Sequence, residues 1–180
     1  MNNTRDAIPP FGAATGSASF PPVLDACCGS RAFWFDKQDQ RAVFVDNREE
    51  TIQCDKRPGR QPLVVKPDIL ADFTQLPFPD DSFDLVVFDP PHFVRNSACG
   101  KMRQYYGFLA GDWRGMLRGG FAECFRVLRP GGTLIFKWAE SSVVLSEILK
   151  LTPHKPLFGH KSGKQATTHW CAFLKPNDPS

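Results

Sequence analysis

The segment Phe83-Asp84-Leu85-Val86-Val87-Phe88-Asp89-Pro90-Pro91-His92 constrains the fold more than any other part of this chain. A short apolar run of β-branched and aromatic residues, bounded by turn formers, reads as a central strand of a parallel sheet. Two consecutive prolines end it and hold two φ angles at roughly −65°. The result is a stiff loop at the carboxyl end of a strand, where open α/β sheets place their ligands. The Asp89 carboxylate and the carbonyls around Pro90 become acceptors that cannot swing away. Such a cluster suits an NH₂ group on a planar ring, with His92 placed to stack on that ring.

Hydrophobic strands alternate with helix-length segments along the rest of the chain, the signature of a parallel sheet covered on both sides. Strands are expected at Pro22–Ala26, Ala42–Asp46, Pro67–Asp72, Phe83–Phe88 and Thr133–Trp138. Two more, Pro156–Gly159 and Thr168–Leu174, are joined by the loop His160–Gln165. The fold class predicted is α/β: a doubly wound, mostly parallel seven-stranded sheet with an antiparallel C-terminal hairpin. Trp113, Met116, Leu117, Phe121, Phe125 and Leu128 recur at helical spacing, so Trp113–Leu128 reads as a helix that Arg129-Pro130-Gly131-Gly132 stops. Ser141–Leu149 is expected as a short helix capped by Ser141 or Ser142. Ala32–Asp39 is read as short helical or irregular chain, and Glu49–Pro62 as an irregular connection. His92–Asp112 shows no clear period and reads as a long loop with one helical turn, a length that is usually functional or mobile. Residues 1–20, rich in Ala, Gly, Ser and Pro, are expected to form a flexible lead-in, and residues 21–176 the folded domain.

A chain of 180 residues suffices for one domain with a sizeable core. The net charge of +3 is too small to prove a nucleic-acid partner. Its distribution is more telling. Lys155, Lys161, Lys164 and Lys175 lie in an acid-free stretch from Leu151 to Lys175, and Arg95, Lys101, Arg103, Arg114 and Arg118 face Asp112 alone between His92 and Arg118. Each stretch reads equally as a nucleic-acid surface or as a solvated face. The six cysteines have no C-x-x-C spacing and no histidine partners, so they read as reduced thiols of a cytoplasmic protein, without a metal site. No apolar run is long enough for a membrane span, and the N-terminus lacks the apolar core of a secretory signal.

A set of residues at the strand ends carries further chemistry. Strand one closes in Asp25-Ala26-Cys27-Cys28-Gly29, a turn whose glycine lets backbone approach a ligand. Asp46 closes strand two, where a carboxylate can accept both hydroxyls of a ribose. Asp72-Phe73 follows strand three, an acid for an amino group and a ring for a planar face. Cys27 and Cys28 line the turn and pack; a reactive thiol is the alternative.

In this order these residues resemble the class I S-adenosylmethionine-dependent methyltransferases, over roughly Val23 to Leu174. The resemblance implies S-adenosylmethionine as cofactor, with Asp25, Cys27 and Gly29 around its methionine part, Asp46 on its ribose, and Asp72 with Phe73 at its adenine. Asp89-Pro90-Pro91-His92 resembles the (Asp/Asn/Ser)-Pro-Pro-(aromatic) signature of enzymes that methylate exocyclic or amide nitrogens, and the whole pattern is similar to small phage and prophage methyltransferases. It implies transfer of a methyl group to an amino nitrogen of a nucleic-acid base, adenine first, with Asp89, Pro90, Pro91 and His92 as the catalytic set. Two positions depart from the family pattern: Arg31 stands where a second turn glycine is common, and His92 replaces Tyr, Phe or Trp.

The partner expected is a nucleic acid, DNA or RNA. Arg95 with Lys101 and Arg103 beside Tyr105 and Tyr106 suits a single strand or makes an ordinary lid. Lys161 and Lys164 grip phosphate or sit at a solvated hairpin tip. Lys137 and Trp138 at the end of strand five are expected to pack, the lysine by its stem. Target choice falls to these loops or to a partner protein. The competing readings are a methyltransferase of a small molecule or a protein amide, and a cofactor-binding module without catalysis, for which Arg31 is the motive.

Overall fold

A computed structural model of the chain describes residues 20–53, 59, 61–94, 100–162 and 167–177. Strands β1 (Val23–Asp25), β2 (Ala42–Asp46), β3 (Glu50–Ile52), β4 (Leu63–Val65), β5 (Ile69–Leu70) and β6 (Phe83–Phe88) precede helices α1 (Gly100–Tyr106) and α2 (Trp113–Val127). Then come β7 (Leu128–Ala139), helix α3 (Leu145–Ile148) with a 3₁₀ turn over Leu149–Leu151, β8 (Phe158–Ser162) and β9 (Thr168–Leu174). Seven strands form one sheet in the order β5-β2-β1-β6-β7-β9-β8. Its first five strands run parallel, and β9 pairs antiparallel with both β7 and β8. The predicted α/β class, seven strands and antiparallel C-terminal hairpin are all present. The lead-in reading falls on residues 1–19, outside the described residues; Phe20 packs its ring on Phe78 and Phe83.

The core forms where α2 lies on the sheet. Leu117, Phe121, Cys124 and Phe125 on α2 are buried with Phe88, Phe136 and Phe173. At Gly120 the helix comes so close that a Cβ would stand 2.6 Å from Phe88 Cζ and 2.7 Å from Phe73 Cδ2. Asp112 caps the helix by accepting from the Gly115 N–H. Its last turn carries Arg126, which donates to Glu123 and to the carbonyls of Leu76 and Phe78, fixing the loop before β6.

Four local expectations need correction. The connection Glu49–Pro62 is not irregular throughout: β3 pairs with β4 as an antiparallel ribbon that buries Ile52 and Val65. The segment Arg129–Gly132 does end the helix, yet β7 already starts at Leu128, and the turn is absorbed as an irregularity opposite Phe83 to Leu85. There Gly131 takes φ +74°, and a Cβ on Gly132 would sit 2.8 Å from the Arg129 carbonyl and 2.9 Å from that of Asp84. The one helical turn expected after His92 is the seven-residue α1. The cap position of α3 falls to Val144 and not to either serine, and the Glu140 carboxylate accepts from the Leu145 N–H. Ala32–Asp39 is irregular, because Asp36 and Asp39 turn their carboxylates onto the N–H groups two residues ahead, a local bond that competes with a helix.

Candidate functional site

The chain order β1, β2, β5 runs outward on one side of β1, while β6 and β7 lie on the other. The carboxyl ends of β1 and β6 therefore meet where strand order reverses, the place at which such sheets open a crevice. A cavity of about 700 Å³ sits there. Its walls come from the turn Ala26–Ser30, from Asp46 to Arg48, from Phe73, from Asp89 to Phe93 and from Lys137. Met102 to Tyr106 of α1 and the adjoining Gly107–Leu109 close it from another side.

Gly29 holds the turn after β1 in the left-handed conformation, at φ +49°, with nothing within 4 Å of the place a Cβ would occupy. Its N–H donates to Asp46 Oδ2 over 2.9 Å, which ties the β1 turn to the end of β2. Asp46 Oδ1 accepts from the backbone and the guanidinium of Arg48. Arg48 goes on to Glu50 Oε1 and to the Gln104 carbonyl of α1. This arginine, two residues beyond the strand-two acid, carries no sequence signal that separates it from any other loop arginine.

Arg31 also takes a left-handed conformation, at φ +55°. The departure from glycine thus leaves a glycine-like backbone. The guanidinium compensates: it lies 3.7 Å from the centroid of the Phe44 ring, pairs with Asp68 at 2.8 Å and donates to the Lys37 and Lys66 carbonyls. Arg31 does not line the cavity, and its conformation removes the motive for a non-catalytic module.

Asp25 is fully buried below the turn and does not line the cavity either. Its Oδ2 accepts from Trp34 Nε1 at 2.7 Å and its Oδ1 from the Cys27 N–H at 3.2 Å. Burial raises its carboxyl to about 7, against the two hydrogen bonds, which lower it. Burial likewise pushes the Cys27 and Cys28 thiols up, so both pack at the turn as thiols without thiolate character. Asp72 Oδ1 accepts from the Thr74 N–H and hydroxyl, and it is Phe73 that reaches the cavity.

At the end of β6, the Asp89 carboxylate is nearly enclosed. Lys137 Nζ donates to Oδ2 at 2.6 Å, and His92 Nε2 stands 3.0 Å from Oδ1. The His92 contact lacks hydrogen-bond alignment, so Oδ1 is a buried oxygen without a donor, as His92 Nδ1 is a buried nitrogen without a partner. Burial alone would raise the Asp89 carboxyl, yet His92 and Lys137 outweigh it and hold it below its ordinary value. His92 rests edge-on against Trp138, with ring centroids 5.2 Å apart. Lys137, expected only to pack, reaches Asp89 because β6 and β7 pair Phe88 with Phe136, which sets the next residues side by side.

Not every predicted contact residue is assembled here. Lys161 is exposed on β8 opposite His169 and does not line the cavity. Arg95 and Lys164 lie outside the described residues, as does the side chain of Lys101. Arg103, Tyr105 and Tyr106 line the cavity on α1, with Arg103 3.6 Å from the Phe108 ring centroid. Among the described residues no cluster of His, Cys, Asp and Glu could hold a metal, and no helix is long and apolar enough to cross a membrane.

Residues 24–90 match the family model described as a methyltransferase domain. Among solved structures, the fold is similar to a SAM-dependent methyltransferase of Methanosarcina mazei, at 14% identity and TM-score 0.53, covering 87% of this chain and 92% of that one. The N-methyltransferase NodS of Bradyrhizobium japonicum aligns at 15% identity and TM-score 0.53, over 86% and 85% of the two chains. A Burkholderia thailandensis 1,6-didemethyltoxoflavin-N1-methyltransferase, solved with that compound and S-adenosylhomocysteine, aligns at 16% identity and TM-score 0.51, over 86% and 70%. At these identities the likeness is one of fold. The sequence match thus runs from β1 to the Asp89-Pro90 turn, and the sheet built around it is similar in fold to those of SAM-dependent methyltransferases.

Proposed function

We propose that this methyltransferase modifies an exocyclic amino nitrogen of a nucleic-acid base, adenine first. The observation that carries the reading is Asp89 Oδ1, a buried carboxylate oxygen beside the cavity whose neighbour, His92 Nε2 at 3.0 Å, makes no aligned hydrogen bond to it. Buried acceptors are rarely left unpaired, and leaving one so costs about 1–3 kcal/mol. An amine that displaces the His92 ring meets an acceptor already waiting, and the ring freed from Oδ1 can stack on the base.

The cofactor fits the turn and the strand ends. Gly29 leaves its Cβ side open, Asp46 offers carboxylate lone pairs toward ribose hydroxyls, and Phe73 offers a ring beside the cavity. Cys27 lines the turn, while Asp25 supports it from beneath and Asp72 braces the Phe73 loop. When bound, S-adenosylmethionine supplies an electrophilic methyl group on a sulfonium.

This chain's residues do the rest by orientation and electrostatics. The lone pair of a ring amine is delocalised and poorly nucleophilic. Asp89 Oδ1 and the Pro90 carbonyl accept the two N–H hydrogens, favouring a pyramidal nitrogen whose lone pair is free to react. The two prolines keep these acceptors from turning away with the substrate. As nitrogen gains its new bond, the proton it sheds is held at Asp89 Oδ1. A base in a duplex must first be flipped from its stack, and a single strand needs less. Arg95, Lys161 and Lys164 are the proposed phosphate contacts, with a partner protein as the other source of target choice.

A second reading, methylation of a small planar amine or a protein amide, is favoured by the enclosure of the cavity by α1 and Gly107–Leu109. One experiment separates them. The protein is incubated with methyl-labelled cofactor and duplex DNA, single-stranded DNA, RNA, total protein or a low-molecular-weight extract, with Asp89→Ala as control. Label in one nucleic-acid class is expected, recovered as an N-methylated base after nuclease digestion, lost in the variant and falling steeply with salt. Label confined to the small-molecule or protein fraction, and indifferent to salt, would overturn the nucleic-acid reading.

A further inference from the structure

We propose that Lys137 is a positioning residue for methyl transfer: it grips Asp89 by Oδ2 and so presents Oδ1 as the acceptor for the substrate amine. The inference rests on the role proposed for Asp89. A carboxylate has two equivalent oxygens, and rotation about its last bond exchanges them. A cation bound to one oxygen breaks that equivalence. Lys137 Nζ does so at 2.6 Å, a short charge-assisted bond.

The ammonium is itself held. It stands 5.5 Å from the Phe33 ring centroid and 5.6 Å from that of Trp170, and these two rings meet edge to face. An ammonium between aromatic rings with little water around it is attracted to both ring faces. The backbone adds a further constraint. Along β7, Phe136 and Trp138 point into the core, so alternation sends Lys137 to the cavity side. Pairing of Phe88 with Phe136 then places it beside Asp89.

The grip also keeps the acceptor ionised. Around Asp89 stand His92 on its own loop, Lys137 on β7, and Asp25 and Cys27 at the end of β1. Lys137 brings an ammonium to this set, where Asp25 and the Cys27 thiol oppose a charge on Asp89. A neutral Asp89 would carry a proton on one oxygen and compete with the amine as a donor.

The test uses Lys137→Met, which keeps the stem between the rings, Lys137→Arg, which keeps the cation, and thermal melting as a folding control. The Asp89 carboxyl is followed by ¹³C NMR titration of the cofactor-free protein, assigned with Asp89→Asn. Turnover is measured against pH on whichever amine the labelling experiment identifies. In Lys137→Met, kcat falls roughly 100-fold while affinity for S-adenosylhomocysteine holds, because the acceptor is misplaced and the cofactor turn is not. Asp89 titrates at higher pH than in the wild type, and the acid limb of the kcat profile moves up with it. Lys137→Arg restores most of the rate. An unmoved Asp89 titration with wild-type kcat in Lys137→Met overturns the inference, as does a loss that Lys137→Arg leaves unrepaired. A moved titration together with turnover only on small amines keeps the role of Lys137 and removes the nucleic-acid reading.

Discussion

The Gly29 N–H donates to Asp46 Oδ2 across 2.9 Å, joining a turn on one strand to the end of its neighbour. The bond makes the β1 turn and the β2 acid a single unit on the cavity wall. Asp46→Ala would leave that N–H without an acceptor and remove the carboxylate proposed to meet the ribose. Losing a charged hydrogen-bond partner costs about 1.5–3 kcal/mol, so S-adenosylhomocysteine should bind roughly tenfold to a hundredfold more weakly by calorimetry. An unchanged dissociation constant would place the cofactor elsewhere.

Asp25 makes stability depend on pH. Its folded-state carboxyl lies at about 7 because burial disfavours the charge. The unfolded chain titrates near 4, so the contribution is full below about pH 4 and is lost as pH rises through 7. The difference amounts to at most about 4 kcal/mol. Asp25→Asn cannot titrate, and it loses one of the two acceptors that hold Trp34 and Cys27. Chemical denaturation should therefore find the variant's stability flatter than the wild type's between about pH 4 and 7. Parallel pH curves for the two proteins would rule out Asp25 as the source.

Arg31 offers a comparison between two substitutions. Alanine keeps a side chain at φ +55° and gives up the Phe44 and Asp68 contacts. Arg31→Ala should lose about 1–2 kcal/mol of stability, and Arg31→Gly less, since glycine adopts this conformation without Cβ strain. If alanine proves as stable as arginine, the guanidinium is not an anchor.

Gly120 should tolerate nothing larger. A methyl group there meets Phe88 and Phe73 well inside contact distance. Relief requires α2 to lift or the rings to leave their rotamers, at about 1–3 kcal/mol. Gly120→Ala is expected to lower the melting temperature and, through Phe73, to weaken cofactor binding. A variant that melts like the wild type would show more slack behind the site than these distances allow.

Much of the cavity is legible from local pattern. Strand ends fall where apolar runs meet turn formers, so Gly29, Asp46, Phe73 and the Asp89–His92 turn can be picked out along the chain, and they do line one cavity. Asp25 and Asp72 also sit at strand ends, but a strand end says nothing about which way a carboxylate faces. Asp25 faces the indole of Trp34, and Asp72 faces Thr74. The β3–β4 ribbon escapes a reading of pattern because three-residue strands are too short to show a period.

Local pattern is enough for the main strands and for the stiff acceptor turn after β6, because periodicity, proline and glycine act over a few residues. The surroundings of that turn are a matter of the assembled fold. Lys137 lies 48 positions from Asp89 and meets it through the register between β6 and β7. Arg31 can stand in for a glycine only because Phe44 and Asp68 are brought within its reach. Such contacts depend on how distant strands align and on which face each side chain takes, and no run of neighbouring residues specifies either.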